Sequence, residues 1–155
     1  MDLEAILDPK SIFLDFAADG KDQALEEICS LAAGVLGLPA APVYSAIRSR
    51  ESLGSTALGG GLVVPHGKLA MIAGTHLFLA RPAAGTRLDF GSPDGLPARL
   101  IALILSPSSP ASEYLRLLAL LGRLWNAPRN VSLLMDCPDQ ASFYQTFLFL
   151  SGSID

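Results

Sequence analysis

The apolar positions of this chain change period several times, and each change marks an element. Residues 1–18 pair a short apolar pattern (Leu3, Ile6, Leu7) with a break at Pro9 and the extended run SIFLDF, which predicts a turn of helix and then a strand. From Asp19, a capping residue, Leu25, Ile28, Leu31, Ala32, Val35 and Leu36 recur at helical spacing, and Gly37 with Pro39 should end that helix. A second helix is expected from Val43 to about Glu51, with Val43, Ala46 and Ile47 on one side and Arg50 at its C-terminal end. Gly54, Gly59, Gly60 and Gly61 would each weaken a helix or strand interior, so the following stretch reads as a loop that returns through the short strand Leu62, Val63, Val64. Pro65 takes an N–H away from that strand. Val64 should therefore be its last regular residue, with His66 on an irregular, accessible connection that turns at Gly67.

Further on, Thr75 to Ala80 predicts a buried strand, and a turn-rich segment holds one short extended piece at Leu88 to Phe90. Leu100 to Leu105 is a near-continuous aliphatic run of the kind covered on both faces. Ser109 before Pro110 should start a helix that carries Leu115, Leu118, Leu121, Leu124 and Trp125 and ends at NAP. Val131 to Met135 fits a strand or a helical turn equally. Asp139 should cap a last helix with Phe143, Phe147 and Leu150 on one face. Strands alternating with helices around a doubly covered strand give a layered α/β fold, expected as one domain over 1–155.

Composition narrows this picture. At 155 residues, 50% apolar and 17% charged, the chain has enough material for one core and too little charge for disorder. A mean hydropathy of +0.42 raises the question of a membrane. The longest apolar runs are strand-length, however, and the Leu-rich stretch before Trp125 is cut by Arg116 and Arg123, so no span is expected. MDLEAILDPK lacks a basic segment followed by an apolar one, and a cytoplasmic protein is expected. A net charge of -4 argues against nucleic acid as a partner. Cys29 and Cys137 lie far apart without metal-ligand spacing; both should be reduced, structural thiols, and neither metal nor cofactor is implied.

Chemistry concentrates between Arg50 and Lys68, RESLGSTALGGGLVVPHGK. A neutral imidazole is a competent nucleophile towards phosphorus, which makes His66 the candidate acceptor of a phosphoryl group. Phosphoryl transfer asks a protein mainly for positioning and for charge on the equatorial oxygens. Arg50 could fork to two oxygens, Ser55 and Thr56 could donate O–H, and the glycine N–H groups could approach an anion closely. The sequence has no Walker-type loop and no evident carboxylate pair for Mg²⁺, which makes ATP a poor donor and another phosphoprotein a better one. His76 sits in an apolar strand pattern and reads as a packed or edge histidine; Lys68 reads as a solvated charge.

RESLGSTALGGGLVVPHGKL resembles the active-site signature of the fructose, mannitol and nitrogen-regulatory class of EIIA domains of the bacterial phosphotransferase system, with further agreement through PVYSAIRSRE before it and LDFGSPDGLPARLIALILSP after it. The resemblance implies a mixed sheet of about five strands flanked by helices on both faces. It also implies that His66 accepts phosphate on Nε2 from the phosphohistidine of the carrier HPr or its nitrogen-branch equivalent, with Arg50 supporting the phosphate. Tyr114 falls where such domains usually carry a second His, and Ala57 where Gly is usual. If that latter position needs a positive φ, alanine would strain it by about 1 kcal/mol. A chain without fused EIIB or EIIC segments fits the nitrogen-regulatory subclass, whose targets could include a sensor kinase or a potassium transporter. Two alternatives stand beside it: a sugar-specific EIIA that passes phosphate to an EIIB, and a regulatory binding module in which phosphorylation is absent or only a switch.

Overall fold

The computed structural model describes residues 1–108 and 111–153. Its strands are β1 (Ile12–Phe16), β2 (Ala57–Gly59), β3 (Leu62–Val63), β4 (His66–Lys68), β5 (His76–Pro82) and β6 (Leu100–Ser106). They form one mixed sheet in the order β1-β5-β6-β3-β2, with β4 paired further along β6. The helices are α1 (Leu3–Ile6), α2 (Lys21–Leu36), α3 (Ala40–Glu51), α4 (Ser112–Trp125), α5 (Pro128–Met135) and α6 (Gln140–Gly152).

The aliphatic run organises the molecule as its composition requires. Along β6, Leu100, Ala102 and Ile104 enter one core with side chains of α4, α5 and α6, while Ile101, Leu103 and Leu105 enter a second core with α2 and α3. Each fully buried Leu or Ile is worth about 1.5–3 kcal/mol relative to exposure, so alternate residues of one strand hold a helical layer on each face. The α2 helix ends at Gly37, and Asp139 caps α6 through a reciprocal bond pair with Ser142. Residues 131–135, open between strand and helix in the sequence, belong to α5. Arg81, at the end of β5, donates to the carbonyls of Leu134, Met135 and Cys137 and so closes the C-terminal end of α5.

The mixed sheet flanked by helices is the expected architecture. Several other expectations need correction. The glycine-rich stretch is not wholly a loop: it contains β2, a sixth strand, which turns through Gly60 and Gly61 to pair antiparallel with β3. Gly61 has φ +89, and a Cβ on it would meet Arg99 at 2.6 Å, so this hairpin requires glycine there. His66 opens β4 and is not on an irregular connection. Pro65 donates no N–H, but its carbonyl accepts Ile104 N–H at 2.9 Å, and parallel pairing resumes at His66 opposite Ile104. Leu88 and Phe90 are buried but form no strand. The buried side of α4 is Leu117, Leu120, Leu121, Leu124 and Trp125, whereas Leu115 is exposed. Ser109 and Pro110, the expected start of that helix, lie outside the described residues. Asp19 does not cap α2; its N-cap is Gly20, and Asp19 N–H donates to Gln23. Ala57 is not in a positive-φ conformation: the one non-glycine residue with positive φ among the described residues is Asp15, at a register shift in β1.

Candidate active site

His66 lies at the C-terminal end of the sheet, where β4 runs beside the last residues of β6. Neighbours in a parallel pair share a face, so His66 points with Ile104 towards the α4 layer and Gly67 points with Leu105 towards α3. Gly67 lets α3 come close. A Cβ there would lie 3.2 Å from Ala46 and Ile47, and this approach brings the last turn of α3, with Arg50, over the end of β4. On the other side, Tyr114 sits in the first turn of α4, below a run of buried leucines. The far end of that helix is fixed by Trp125, whose Nε1–H donates to the Gly60 carbonyl at 2.8 Å.

The three side chains meet at one atom. His66 Nδ1 lies 2.9 Å from the Val64 carbonyl, and a carbonyl only accepts, so Nδ1 carries the ring proton and Nε2 keeps the lone pair. Arg50 Nε–H donates to Nε2 at 3.2 Å, and the Tyr114 hydroxyl donates to the same nitrogen at 3.1 Å. The His66 and Tyr114 rings are in contact, with centroids 4.7 Å apart and planes 35° apart. Arg50 Nη1 also donates to the Gly54 carbonyl at 3.2 Å, which holds the guanidinium across the loop.

The electrostatics favour a neutral ring. Burial pushes the His66 pKa down and the Arg50 charge adds to this, while the Val64 carbonyl and Glu51 oppose it. Burial raises the Tyr114 pKa, with Arg50 in partial opposition, so the phenol stays protonated and able to donate. The result is a half-buried, uncharged imidazole with an available lone pair beside a fixed cation and a neutral donor. Such an arrangement suits nucleophilic attack on an electrophile that brings negative charge with it.

Ser55 and Thr56 stand apart from this group. Ser55 Oγ donates to the Phe90 carbonyl and accepts Ala57 N–H at 3.1 Å; Thr56 Oγ1 donates to Glu51 Oε2 at 2.7 Å. Both hydroxyl protons are held within the loop, and neither side chain lines the hollow at His66. That hollow, about 450 Å³, is walled largely by apolar atoms, among them those of Ala46, Leu53, Ala111, Leu115 and Tyr114. At its rim, Leu53 is 82% exposed and Leu115 57%. Lys68 is exposed at the end of β4, and His76 is part-buried in β5 beside Phe78. Cys29 and Cys137 are buried free thiols, the former with its pKa pushed up to about 12 by burial.

Glu51 was not legible as part of the site. It adjoins Arg50 in sequence, yet it is 8% exposed and forms an ion pair with Lys21 at 2.8 Å. The one signal for it was its place beside Arg50 in the stretch RESLGST, which says nothing of its direction. Among the described residues no group of three or more His, Cys, Asp or Glu could hold a metal ion, and no helix is long and apolar enough to cross a membrane.

Residues 5–149 match the family model described as "Phosphoenolpyruvate-dependent sugar phosphotransferase system, EIIA 2". A nitrogen regulatory protein of Bradyrhizobium diazoefficiens is 35% identical over 127 residues, 80% of each chain. The crystal structure of nitrogen regulatory protein IIA-Ntr from Neisseria meningitidis superposes with a TM-score of 0.79 at 28% identity, covering 93% of this chain and 97% of that one. The Escherichia coli complex of enzyme IIA-mannitol with phosphorylated enzyme IIB-mannitol shares the fold at TM-score 0.74 and 20% identity, over 96% of this chain and 99% of that one.

Proposed function

The chain belongs to the EIIA 2 family of the phosphoenolpyruvate-dependent sugar phosphotransferase system, and from that premise we propose that His66 Nε2 accepts a phosphoryl group from the phosphohistidine of HPr or its nitrogen-branch equivalent. The observation that carries this reading is the lone pair on Nε2, met by Arg50 at 3.2 Å and Tyr114 at 3.1 Å.

In the transfer, the Nε2 lone pair forms the new N–P bond while the donor's N–P bond breaks and returns its electron pair to the donor imidazole. Nδ1 keeps its proton throughout, so the phosphorylated ring becomes cationic, and the Val64 carbonyl at 2.9 Å stabilises that charge. Arg50 and Tyr114 leave the lone pair as the phosphorus arrives and donate to its equatorial oxygens. Two of the five guanidinium N–H groups are engaged in the free protein, by His66 and Gly54, so others remain for the oxygens. The apolar rim of Leu53 and Leu115 suits a protein donor, since association buries such residues around a reacting atom.

The relative that is 35% identical is named a nitrogen regulatory protein, which supports the nitrogen-regulatory branch for this chain; in this reading its targets are of the kind expected from the sequence, a sensor kinase or a potassium transporter. About two negative charges added at His66 would alter any surface that such a target reads. Incubation with phosphoenolpyruvate, Enzyme I and HPr, or the nitrogen-branch equivalents, should add the mass of one phosphate, removable by acid and absent in His66→Ala. No gain with any cognate carrier would leave the regulatory binding module as the reading.

A further inference from the structure

Glu51 is a carboxylate kept from water beside a site that must welcome an anion, which is costly unless its bonds are complete and serve a purpose. They are complete. Oε1 takes Lys21 Nζ at 2.8 Å and Thr56 N–H at 3.2 Å, and Oε2 takes the Thr56 hydroxyl at 2.7 Å. The bonds to Thr56 tie the last residue of α3 to the head of β2 and close residues 51–56 into a ring. Gly54, whose carbonyl holds Arg50 Nη1, lies inside that ring. Thr56 also faces the other way: its carbonyl accepts Val64 N–H at 3.1 Å, and the Val64 carbonyl in turn accepts His66 Nδ1–H at 2.9 Å. One residue is therefore bonded towards both the carbonyl that aims Arg50 and the carbonyl that orients His66.

We infer that Glu51 and Thr56 are positioning residues that hold Arg50 and His66 in register, with Lys21 neutralising the carboxylate, and that neither touches the phosphoryl group. This rests on the reading of His66 as acceptor. It assigns the hydroxyl of Thr56 a task different from phosphate binding, and it gives Lys21, at the start of α2, an indirect hold on the site.

Thr56→Val removes the hydroxyl without changing charge, and Thr56→Ser keeps it. Phosphoryl uptake should fall about tenfold or more in Thr56→Val, since small displacements of a catalytic group cost rate steeply, and Thr56→Ser should recover most of it. In an Arg50→Ala background the same Thr56→Val change should cost several-fold less than in the wild-type background, because one of the two groups it holds is gone and only its hold on His66 remains. Equal losses in both backgrounds, or no loss, would overturn the inference. A second readout does not depend on phosphate. In the unphosphorylated protein the Arg50 Nε–H proton should give a slowly exchanging NMR signal that weakens or shifts in Thr56→Val and Glu51→Gln and persists in Thr56→Ser. An unchanged signal would overturn the positioning role even if His66 took up no phosphate at all. Thermal unfolding of each variant identifies any that fail to fold, and Thr56→Ser and Glu51→Gln then carry the comparison.

Discussion

Arg50 reaches His66 through its Nε, at 3.2 Å from Nε2, and not through a terminal nitrogen, so its forked end is left to grip the Gly54 carbonyl and an incoming anion. A lysine at this position would supply charge but only a single mobile ammonium. Arg50→Ala should slow phosphoryl uptake by about 100-fold, the usual effect of removing one preorganised donor. Arg50→Lys should recover only part of this. Time courses of intact mass against phospho-carrier measure both, and full activity of Arg50→Lys would show that charge alone suffices.

The depressed pKa of His66 sets a pH dependence for the proposed activity. Burial, its largest cause, keeps the ring neutral at and somewhat below its ordinary 6.5, so uptake should stay level as pH falls through that value and decline only at lower pH. Stability has the matching sign. Below 6.5 the unfolded chain binds a proton on His66 that the folded chain resists, so stability is lost as pH drops from 6.5 through the folded value. Burial lowers the pKa of His76 as well, and it contributes in the same direction. His66→Gln and His76→Gln should each flatten the fall of Tm on acidification; a steeper fall in either variant would contradict the assignment.

Tyr114 offers a neutral donor where a histidine would offer a titratable one. Tyr114→Phe removes an O–H at 3.1 Å from Nε2 and should speed hydrolysis of the phosphohistidine by about 3- to 10-fold, the equivalent of one hydrogen bond. Tyr114→His should lengthen its lifetime by adding a donor that can become cationic. Lifetimes by intact mass at fixed pH test both. An unchanged rate in Tyr114→Phe would mean that the hydroxyl leaves the site once phosphate is bound.

Gly67 links the packing of α3 to the chemistry of His66. Its φ is ordinary, so an alanine there acts through space: its Cβ would lie 3.2 Å from Ala46 and Ile47 and would push α3 outward. Gly67→Ala should cost about 1–3 kcal/mol in urea unfolding, as overpacking does, and should slow uptake by widening the gap between Arg50 and His66. Retained stability with retained rate would show that α3 moves without carrying Arg50 away.

Long periodic segments were legible in the sequence because burial alone decides them. The aliphatic run of β6, the α2 helix ended at Gly37 and the Asp139 cap of α6 each follow from side chains within a few residues. What depended on distant partners was not legible. β2 exists because β3 lies beside it, although it ends on Gly59, a residue of poor strand propensity, and is followed by two more glycines. Thr56 looks like a phosphate donor until Glu51 turns inward to claim its hydroxyl. The apolar side of α4 is displaced from the simple leucine spacing because Leu115 rims the hollow while Leu117 enters the core. At the site, Arg50 and His66 could be singled out in advance, but their meeting at Nε2 depends on Gly67 and on the loop bonds of residues 51–56.

The central claim is that Nε2 of His66 is the acceptor atom, and nitrogen–phosphorus correlation NMR on the ¹⁵N-histidine-labelled, phosphorylated protein tests it most directly. The geometry predicts one phosphorus coupled to Nε2 of His66, with the Nδ1 proton still present and bonded to the Val64 carbonyl. Coupling to Nδ1, to His76, or to no histidine nitrogen at all would contradict it.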